Sequence, residues 1–343
     1  MNKTMKAAIF ESEGKLTLTD IPVPQIQRTD EVLLKIEAAS ICGTDVHVLN
    51  VPQSHPGKMG VVLGHEYIGQ IVEKGKDVTS LEVGDRVAVD PNIPCGVCYY
   101  CKRGMPNMCP NIYNTGLDVN GGFAQYVALP ASACAKISRE LPTEVAIFAE
   151  PMVCVVSAMR KIGFNIGETA LVLGAGPIGL YFIQMLKASG AKKIIASEVS
   201  PFRTKYAYES GADIVVDPTK EDLRAIVARE TTYGVDVAID AVGTLIAEAI
   251  ENTRAEGRIM LFGMNTLKTE TINQSQITRK NLTIHSNYIN AYMFTTMIDL
   301  LESGLLPLQK LVTHRLPLSR IHEGIEAMRR GEALEVVIDP WAE

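Results

Sequence analysis

The chain has 343 residues, a length typical of two domains rather than one compact core. Hydrophobic residues make up 47% of it, charged residues 21%, and the formal net charge is −6. An acidic chain without a basic run excludes the clustered Lys and Arg that nucleic acid or an anionic membrane surface requires. We therefore expect a small-molecule partner, with no nucleic acid and no membrane.

The first residues, MNKTMKAAIFESEG, contain no apolar signal core before the first acidic side chain, so we expect a cytoplasmic protein. One uncharged run, 169–186, has the length of a membrane span. Three glycines and a proline interrupt it, which favours a strand, a tight turn and a buried helix instead.

Short strands separated by turn signals fill the chain to about residue 148. Segments such as EVLLKIEAASI, YIGQIVEKG and DRVAVDP have the length and the β-branched content of strands. They predict a β-rich barrel or sandwich.

From residue 169 onward, apolar strands alternate with helical patterns. TALVLGAG, KIIASE, DIVVD, VDVAIDAVG and GRIMLFG predict strands, and PFRTKYAYES predicts a helix that begins at Pro201 and ends before Gly211. The alternation predicts an α/β domain with a doubly wound parallel sheet. The tail after residue 311 predicts strand, helix and strand, and we expect it to return to the first domain.

A glycine-rich turn follows the first of these strands and opens a helix. The turn fits the dinucleotide-binding pattern G-x-G-x-x-G in the strand–turn–helix context that the pattern requires. The helix N-terminus then faces the pyrophosphate. The predicted cofactor-binding residues here are Gly174, Gly176, Pro177, Ile178 and Gly179.

Glu198 ends the next strand, nineteen residues after Gly179. A carboxylate there accepts hydrogen bonds from the adenosine ribose and repels a 2′-phosphate, which favours NAD over NADP. Arg203 lies nearby in the sequence, and its positive charge weakens the preference for NAD.

Four cysteines fall within fifteen residues, spaced C-x2-C-x2-C-x7-C. Four thiolates surround one Zn²⁺ tetrahedrally and leave no open position, so this predicts a structural zinc site. The alternative, free or disulfide-bonded cysteines, is disfavoured in a reducing compartment. The four are Cys95, Cys98, Cys101 and Cys109.

A sparser set of metal-ligand types is spread over three segments. ICGTDVH carries Cys42, GHEYIGQIVEKG carries His65, and FAEPMVCVV carries Glu150. A thiolate, an imidazole and a carboxylate are three protein ligands, the number that leaves a catalytic zinc one open position. Each residue also has an ordinary structural role, such as a first-turn carboxylate for Glu150, and spacing alone leaves both interpretations open.

The stretch Gly64-His65-Glu66-x2-Gly69-x5-Gly75-x2-Val78 resembles the zinc signature of the zinc-dependent medium-chain dehydrogenase/reductase family, that of the zinc alcohol dehydrogenases. The cysteine cluster and the nucleotide turn follow in that family's order, so the resemblance covers nearly the whole chain. It implies a GroES-like β-rich catalytic domain, residues 1–148 with 289–343, and a Rossmann NAD-binding domain, residues 149–288. It also implies a homotetramer or homodimer built through the edge of the nucleotide-binding sheet.

The resemblance assigns roles position by position. Cys42, His65 and Glu150 match the catalytic zinc ligands. Glu66 matches either a conditional ligand or a residue that supports the ligands from behind, and Thr44 and His47 match the proton relay. The implied reaction is reversible oxidation of a secondary alcohol to a ketone, with hydride transfer to NAD and zinc acting as a Lewis acid. Cys154 is a weaker candidate ligand, one helical turn after Glu150.

A glutamate as third ligand resembles the sorbitol/polyol and threonine dehydrogenase branch. Threonine dehydrogenases carry a histidine where this chain has Asn92, and polyol dehydrogenases carry an Arg-Tyr pair at Asn287-Tyr288. We favour a polyol substrate, with L-threonine or a simple secondary alcohol as alternatives and a non-catalytic binding relative as a remote one. The candidate substrate contacts are Asn92, Tyr113, Asn287 and Tyr288.

Overall fold

A computed structural model describes residues 3–265 and 268–343. Its strands are β1 (Thr4–Ser12), β2 (Lys15–Pro22), β3 (Glu31–Ser40), β4 (Glu66–Lys74), β5 (Arg86–Val89), β6 (Asn92–Ile93), β7 (Tyr113–Asn114), β8 (Tyr126–Pro130), β9 (Cys134–Lys136), β10 (Thr169–Leu173), β11 (Lys193–Ser197), β12 (Ile214–Val216), β13 (Val235–Asp240), β14 (Thr253–Leu261), β15 (Thr283–Ser286), β16 (Val312–Pro317) and β17 (Glu335–Asp339).

Its α-helices are α1 (Gly43–Val48), α2 (Tyr99–Lys102), α3 (Thr143–Ala146), α4 (Ala149–Ile162), α5 (Pro177–Ala188), α6 (Pro201–Ser210), α7 (Leu223–Glu230), α8 (Ile246–Asn252), α9 (Gln274–Lys280), α10 (Phe294–Glu302) and α11 (Ile321–Arg329). Short 3₁₀ turns occupy Pro106–Met108, Ala131–Ala133, Leu308–Leu311 and Leu318–Arg320. Within the described ranges, every helix is too short or too polar to cross a membrane.

The chain divides into two compact units. The first comprises Met1–Pro151, Ala291–Gly304 and Leu308–Glu343, and the second comprises Met152–Asn290 and Leu305–Pro307. Each unit has its own apolar core of buried side chains. Two cores are what a chain of this length requires, since a single core stops growing at about 250–300 residues.

The first unit is built on a seven-stranded sheet. Its order is β16-β17-β3-β4-β5-β9, and β8 adds to β3 beside it. β3 is its centre: it pairs antiparallel with β4, β8 and β17. Phe10, Tyr67 and Phe123 are among the largest buried side chains of the core beneath it. The β-rich first part predicted from the turn spacing is confirmed.

The second unit is a six-stranded sheet in which every pairing is parallel. Its order is β12-β11-β10-β13-β14-β15, so the direction of winding reverses between β10 and β13. Near-continuous apolar runs such as TALVL in β10 are buried along their length, as expected for strands covered on both faces. Ligands of such sheets bind at the carboxyl ends of the strands next to this reversal. The predicted doubly wound fold is confirmed.

Candidate active site and metal centres

Cys42 immediately precedes α1 in the first unit. The Oδ2 atom of Asp45 accepts a hydrogen bond from the Cys42 backbone N–H at 2.9 Å, which caps the helix start. The neighbouring Ile41 N–H donates to the carbonyl of Val336 in β17 at 3.1 Å. The backbone at Cys42 is therefore held by a helix cap on one side and by the C-terminal strand on the other.

His65 and Glu66 lie where the chain enters β4. Gly64 before them has φ +88°, and a Cβ atom there would lie 2.5 Å from the Phe123 ring, so only glycine fits this turn. Glu66 is buried, and its Oε2 accepts a hydrogen bond from Ser40 Oγ at 2.5 Å. The turn fixes the backbone before β4, and the bond from Ser40 fixes the Glu66 side chain.

Cys42, His65 and Glu66 come together as one cluster. The thiol sulfur, an imidazole nitrogen and a carboxylate oxygen all lie within 4.8 Å of one another. These are the donor types that zinc prefers, and three protein ligands leave it an open coordination position. The donor set therefore fits a catalytic zinc.

Asp45 is a functional residue to which the sequence analysis gave no role. It is fully buried, and its Oδ1 lies 3.5 Å from His65 Nδ1. A carboxylate behind a histidine ligand fixes the ring orientation and raises its basicity. An aspartate three residues after Cys42, the spacing of a capping box, was the signal available in the sequence.

The buried acidic groups of the cluster also favour a bound cation. Burial raises the pKa of the Cys42 thiol to about 12, and the carboxylates of Asp45 and Glu150 act in the same direction. Burial likewise raises the pKa of Glu66 well above its usual range, with Cys42 and Glu335 adding to the effect. Burial lowers the pKa of His65, but the Asp45 carboxylate outweighs this and the pKa reaches about 10. A divalent metal offsets this concentration of negative groups.

Glu150, the predicted third ligand, lies in the first turn of α4 and is 9% exposed. Burial raises its pKa to about 7, and His65 acts in the opposite direction. Its carboxylate contributes to the raised pKa of Cys42. It is not among the three residues, Cys42, His65 and Glu66, whose ligand atoms lie within 4.8 Å of one another. Its role as a ligand, in place of or beside Glu66, remains a prediction.

Thr44 and His47, the predicted relay residues, are both on α1. Thr44 is half-buried. Its backbone N–H donates a hydrogen bond to the Cys42 thiol, which by itself lowers the pKa of the thiol. His47 lies at the surface, with its Nδ1 atom 3.1 Å from Ser54 Oγ. Partial burial lowers its pKa, and His55 adds to the effect, so the ring is a neutral base near pH 7.

The four-cysteine cluster forms a second potential metal centre in the first unit. Its sulfur atoms all lie within 4.8 Å of one another, and each thiol is free of disulfide bonds. Backbone N–H groups donate to sulfur: Cys95 N to Cys109 Sγ at 3.4 Å, and Cys101 N to Cys98 Sγ at 3.5 Å. Such bonds stabilise thiolates, and the set fits the closed shell of a structural zinc.

The predicted nucleotide turn lies in the second unit, between β10 and α5. A Cβ atom on Gly179 would lie 1.9 Å from the Gly174 carbonyl oxygen, so the helix can start this close to the strand only with glycine there. Gly176 precedes the helix and Pro177 is its first residue. Ile178 follows, and the free N–H groups of this helix start suit a pyrophosphate.

Glu198, predicted to bind the ribose, is buried beside that turn. Its carboxylate accepts hydrogen bonds from the N–H groups of Ala175 (2.8 Å), Val199 (2.9 Å) and Ser200 (2.8 Å). Arg203 lies close to the turn, with Nη1 3.9 Å from the position of a Cβ on Gly176. Its Nε is buried and has no hydrogen-bond partner among the described residues. Both side chains are thus near the predicted phosphate site.

Asp240, at the end of β13, is a second residue that the sequence analysis missed. Its carboxylate accepts from the N–H groups of Val242 (2.9 Å), Gly243 (2.7 Å) and Leu245 (2.9 Å). Cγ2 of Val242 lies 2.5 Å from where a Cβ on Gly174 would be. Asp240 therefore holds this loop against the nucleotide turn.

Two of the four predicted substrate contacts have side chains engaged within the protein. Asn92 donates to Asp90 Oδ1 at 3.1 Å and accepts from Asn114 Nδ2 at 2.6 Å. Asn287 donates to the carbonyls of Cys154 and Ile289 and accepts from Ser157 Oγ.

The other two have different surroundings. Tyr113 lines a cavity of about 260 Å³ with Glu31, Thr115 and residues of β8, and Tyr288 is 48% exposed. As substrate contacts, all four residues remain predictions.

Comparison with known proteins identifies the family of both parts of the chain. Residues 28–139 match the alcohol dehydrogenase GroES-like domain, and residues 177–303 match the zinc-binding dehydrogenase domain. An L-threonine 3-dehydrogenase of Caldanaerobacter subterraneus is 36% identical over 322 residues, covering 91% of this chain and 92% of the relative.

Solved structures are similar over almost the entire chain. A zinc-binding dehydrogenase of Sinorhizobium meliloti bound to NADP has a TM-score of 0.93 at 30% identity, covering 99% of this chain and 100% of that one. The 2R,3R-butanediol dehydrogenase of Bacillus subtilis has a TM-score of 0.90 at 30% identity, covering 98% of this chain and 99% of that one.

The fold and the two centres define an oxidoreductase that uses zinc and a nicotinamide dinucleotide to act on alcohol groups. The chain belongs to the zinc-dependent medium-chain dehydrogenase/reductase family, which the sequence resemblance had indicated.

Proposed function

We propose that the chain oxidises a secondary alcohol of a small polyhydroxy compound to a ketone, reversibly, with NAD as hydride acceptor. The observation that carries the proposal is the buried Cys42–His65–Glu66 cluster, with Thr44 and His47 on the adjoining helix. A mixed thiolate, imidazole and carboxylate set leaves room for a substrate oxygen, which the four-cysteine set does not.

Cys42, His65 and Glu66 would hold a zinc ion, which would supply Lewis-acid polarisation of the alcohol oxygen. Thr44 accepts the hydroxyl proton, and His47 carries it toward solvent. His47 suits this task because its lowered pKa keeps the ring neutral and able to take up a proton at pH 7. Asp45 holds the His65 ring, and Ser40 holds the Glu66 carboxylate.

The charge around the cluster supports a neutral polyhydroxy substrate. Apart from His65, the charged groups that most strongly shift the pKa values of Glu66 and Glu150 are acidic, Asp45, Asp90 and Glu335 among them. A divalent ion would compensate the charge of its ligands, but a substrate carboxylate would still need Arg or Lys as its partner, and neither type is among these groups.

L-threonine is the second candidate. It is favoured by the 36% identity to an L-threonine 3-dehydrogenase over nearly the full length of both chains. The hydrogen-bonded Asn92, at the position where threonine dehydrogenases have histidine, argues against it.

A substrate panel separates the two. NADH absorbance is followed with sugar alcohols, vicinal diols, simple secondary alcohols and L-threonine, with Cys42→Ala as the inactive control. We expect kcat/KM for the best polyol to exceed that for L-threonine by about tenfold or more. A higher kcat/KM for L-threonine would establish the second candidate instead.

We also propose NAD rather than NADP as the working cofactor, because the Glu198 carboxylate lies beside the turn. Binding of the two dinucleotides, measured by calorimetry, tests this, and tighter binding of NADP would reverse it. The proposal further includes residues 1–148 with 289–343 as the catalytic domain, residues 149–288 as the NAD-binding domain, a cytoplasmic location, and a homotetramer or homodimer.

A further inference from the structure

The loop that follows α1 closes back onto His47. The Ser54 N–H donates to the His47 carbonyl at 3.1 Å, so the six residues between them form a short closed loop. Ser54 and His47 therefore keep a fixed separation although the His47 ring is at the surface.

The Ser54 side chain contacts the ring itself. Its Oγ lies 3.1 Å from His47 Nδ1 and 3.3 Å from the His47 carbonyl oxygen. Asn50 supports this arrangement, because its Nδ2 donates to Ser54 Oγ at 2.9 Å and lies 3.4 Å from His47 Nδ1. Both polar side chains face the same ring nitrogen.

A histidine ring on a surface helix otherwise rotates freely about χ2 and presents either nitrogen in a given direction. Bonds to Nδ1 select one orientation and leave Nε2 as the nitrogen free to exchange protons. Which nitrogen a histidine uses is set by the hydrogen bond that the other one makes.

We propose that Ser54, supported by Asn50, is a positioning residue that fixes the His47 ring through Nδ1 and thereby assigns proton exchange to Nε2. This rests on the proposed function, in which His47 carries the proton of the alcohol. Ser54 itself acts only through His47 and does not touch the substrate.

The test uses the zinc-loaded full-length enzyme labelled with ¹⁵N-histidine. The chain has six histidines, so His47→Gln assigns the His47 resonances by difference. We expect Ser54→Ala to shift the Nδ1 resonance of His47 and to lower kcat about tenfold, a fraction of what a general base contributes. KM and zinc content stay unchanged, and Ser54→Thr, which keeps the hydroxyl, restores both the resonance and the rate.

The possible outcomes separate the inference from the proposed function. If His47→Gln turns over as fast as the wild type, the proposed relay is wrong, whatever the NMR spectrum shows. If His47→Gln is slow but Ser54→Ala leaves kcat and the Nδ1 resonance unchanged, the relay stands and the role of Ser54 is overturned. Loss of activity in Ser54→Thr as well as in Ser54→Ala, with an unshifted Nδ1 resonance, would assign Ser54 to helix capping alone.

Discussion

The two metal centres of the first unit differ in how they are assembled. The four-cysteine cluster takes four identical ligands from one stretch of fifteen residues. The Cys42 cluster takes different ligand types from two separate segments, the start of α1 and the start of β4, and places Asp45 and Ser40 behind them. A closed metal site can be encoded locally, whereas an open one depends on tertiary structure to hold ligands around a position that stays free.

Removing a ligand from the open site has the largest expected effect. Cys42→Ala should lower turnover by about 10³-fold or more while the fold is retained, because the metal contributes several kcal/mol to the transition state. Steady-state kinetics, metal analysis and circular dichroism measure this. Cys154→Ala is the matched control, and equal loss in the control would mean that the zinc ligand has been misassigned.

Removing a ligand from the closed site should act on stability instead. Cys101→Ala should lose one zinc per chain and lower Tm by about 10 °C, since structural zinc contributes directly to folding. Turnover per folded molecule should stay within a few-fold of wild type. Cys134→Ala removes a thiol outside both clusters for comparison. A fall in turnover as large as that of Cys42→Ala would erase the distinction between the two centres.

The residue behind the histidine ligand should have an intermediate effect. Asp45→Asn keeps the size of the side chain but removes its charge, and zinc affinity at the open site should fall about 10- to 100-fold. Competition with a chromogenic chelator measures this. Zinc binding at the four-cysteine cluster should be unaffected. Unchanged affinity at the open site would show that the 3.5 Å contact between Asp45 and His65 contributes nothing to zinc binding.

The smallest expected effect is a pH dependence. Burial raises the folded-state pKa of Glu150 to about 7, from a usual value of 4.5. Between these values the folded form keeps a proton that the unfolded form has released, so the metal-free protein loses stability as pH rises through this window. Thermal melts of chelator-treated protein should show Tm falling by a few degrees between about pH 5 and about pH 7.5.

Glu150→Gln tests the assignment of that pH dependence. The amide does not titrate, so the variant should lose less Tm across the same window than the wild type. An identical fall in both proteins would assign the pH dependence to Glu66 or to other groups.

The sequence was sufficient to predict those features whose residues are neighbours along the chain. The strand–turn–helix at Gly174–Gly179 and the four-cysteine spacing were visible because their residues are neighbours. The alternating apolar strands also predicted the doubly wound sheet, since burial on both faces requires continuous apolar runs.

Contacts between residues far apart in sequence could not be predicted in this way. Asp45 lies 3.5 Å from the distant His65, and the loop that Asp240 holds lies against Gly174; spacing alone reveals neither contact. The Asn287 side chain accepts a hydrogen bond from Ser157, 130 positions away in sequence, and no spacing indicated this contact. Whether Glu66 or Glu150 lies nearer the thiol depends on how β4 and α4 are placed, which no periodicity encodes.

The pairing of β17 with β3 has a consequence for biosynthesis. Ser40, which holds Glu66, lies opposite Val337, and Ile41 bonds Val336. These partners are synthesised about 300 residues later, at 5–20 residues per second. The nascent chain therefore carries its zinc-binding side chains on an unfinished sheet edge for many seconds. The ribosome must release the last strand before the catalytic centre acquires its final geometry.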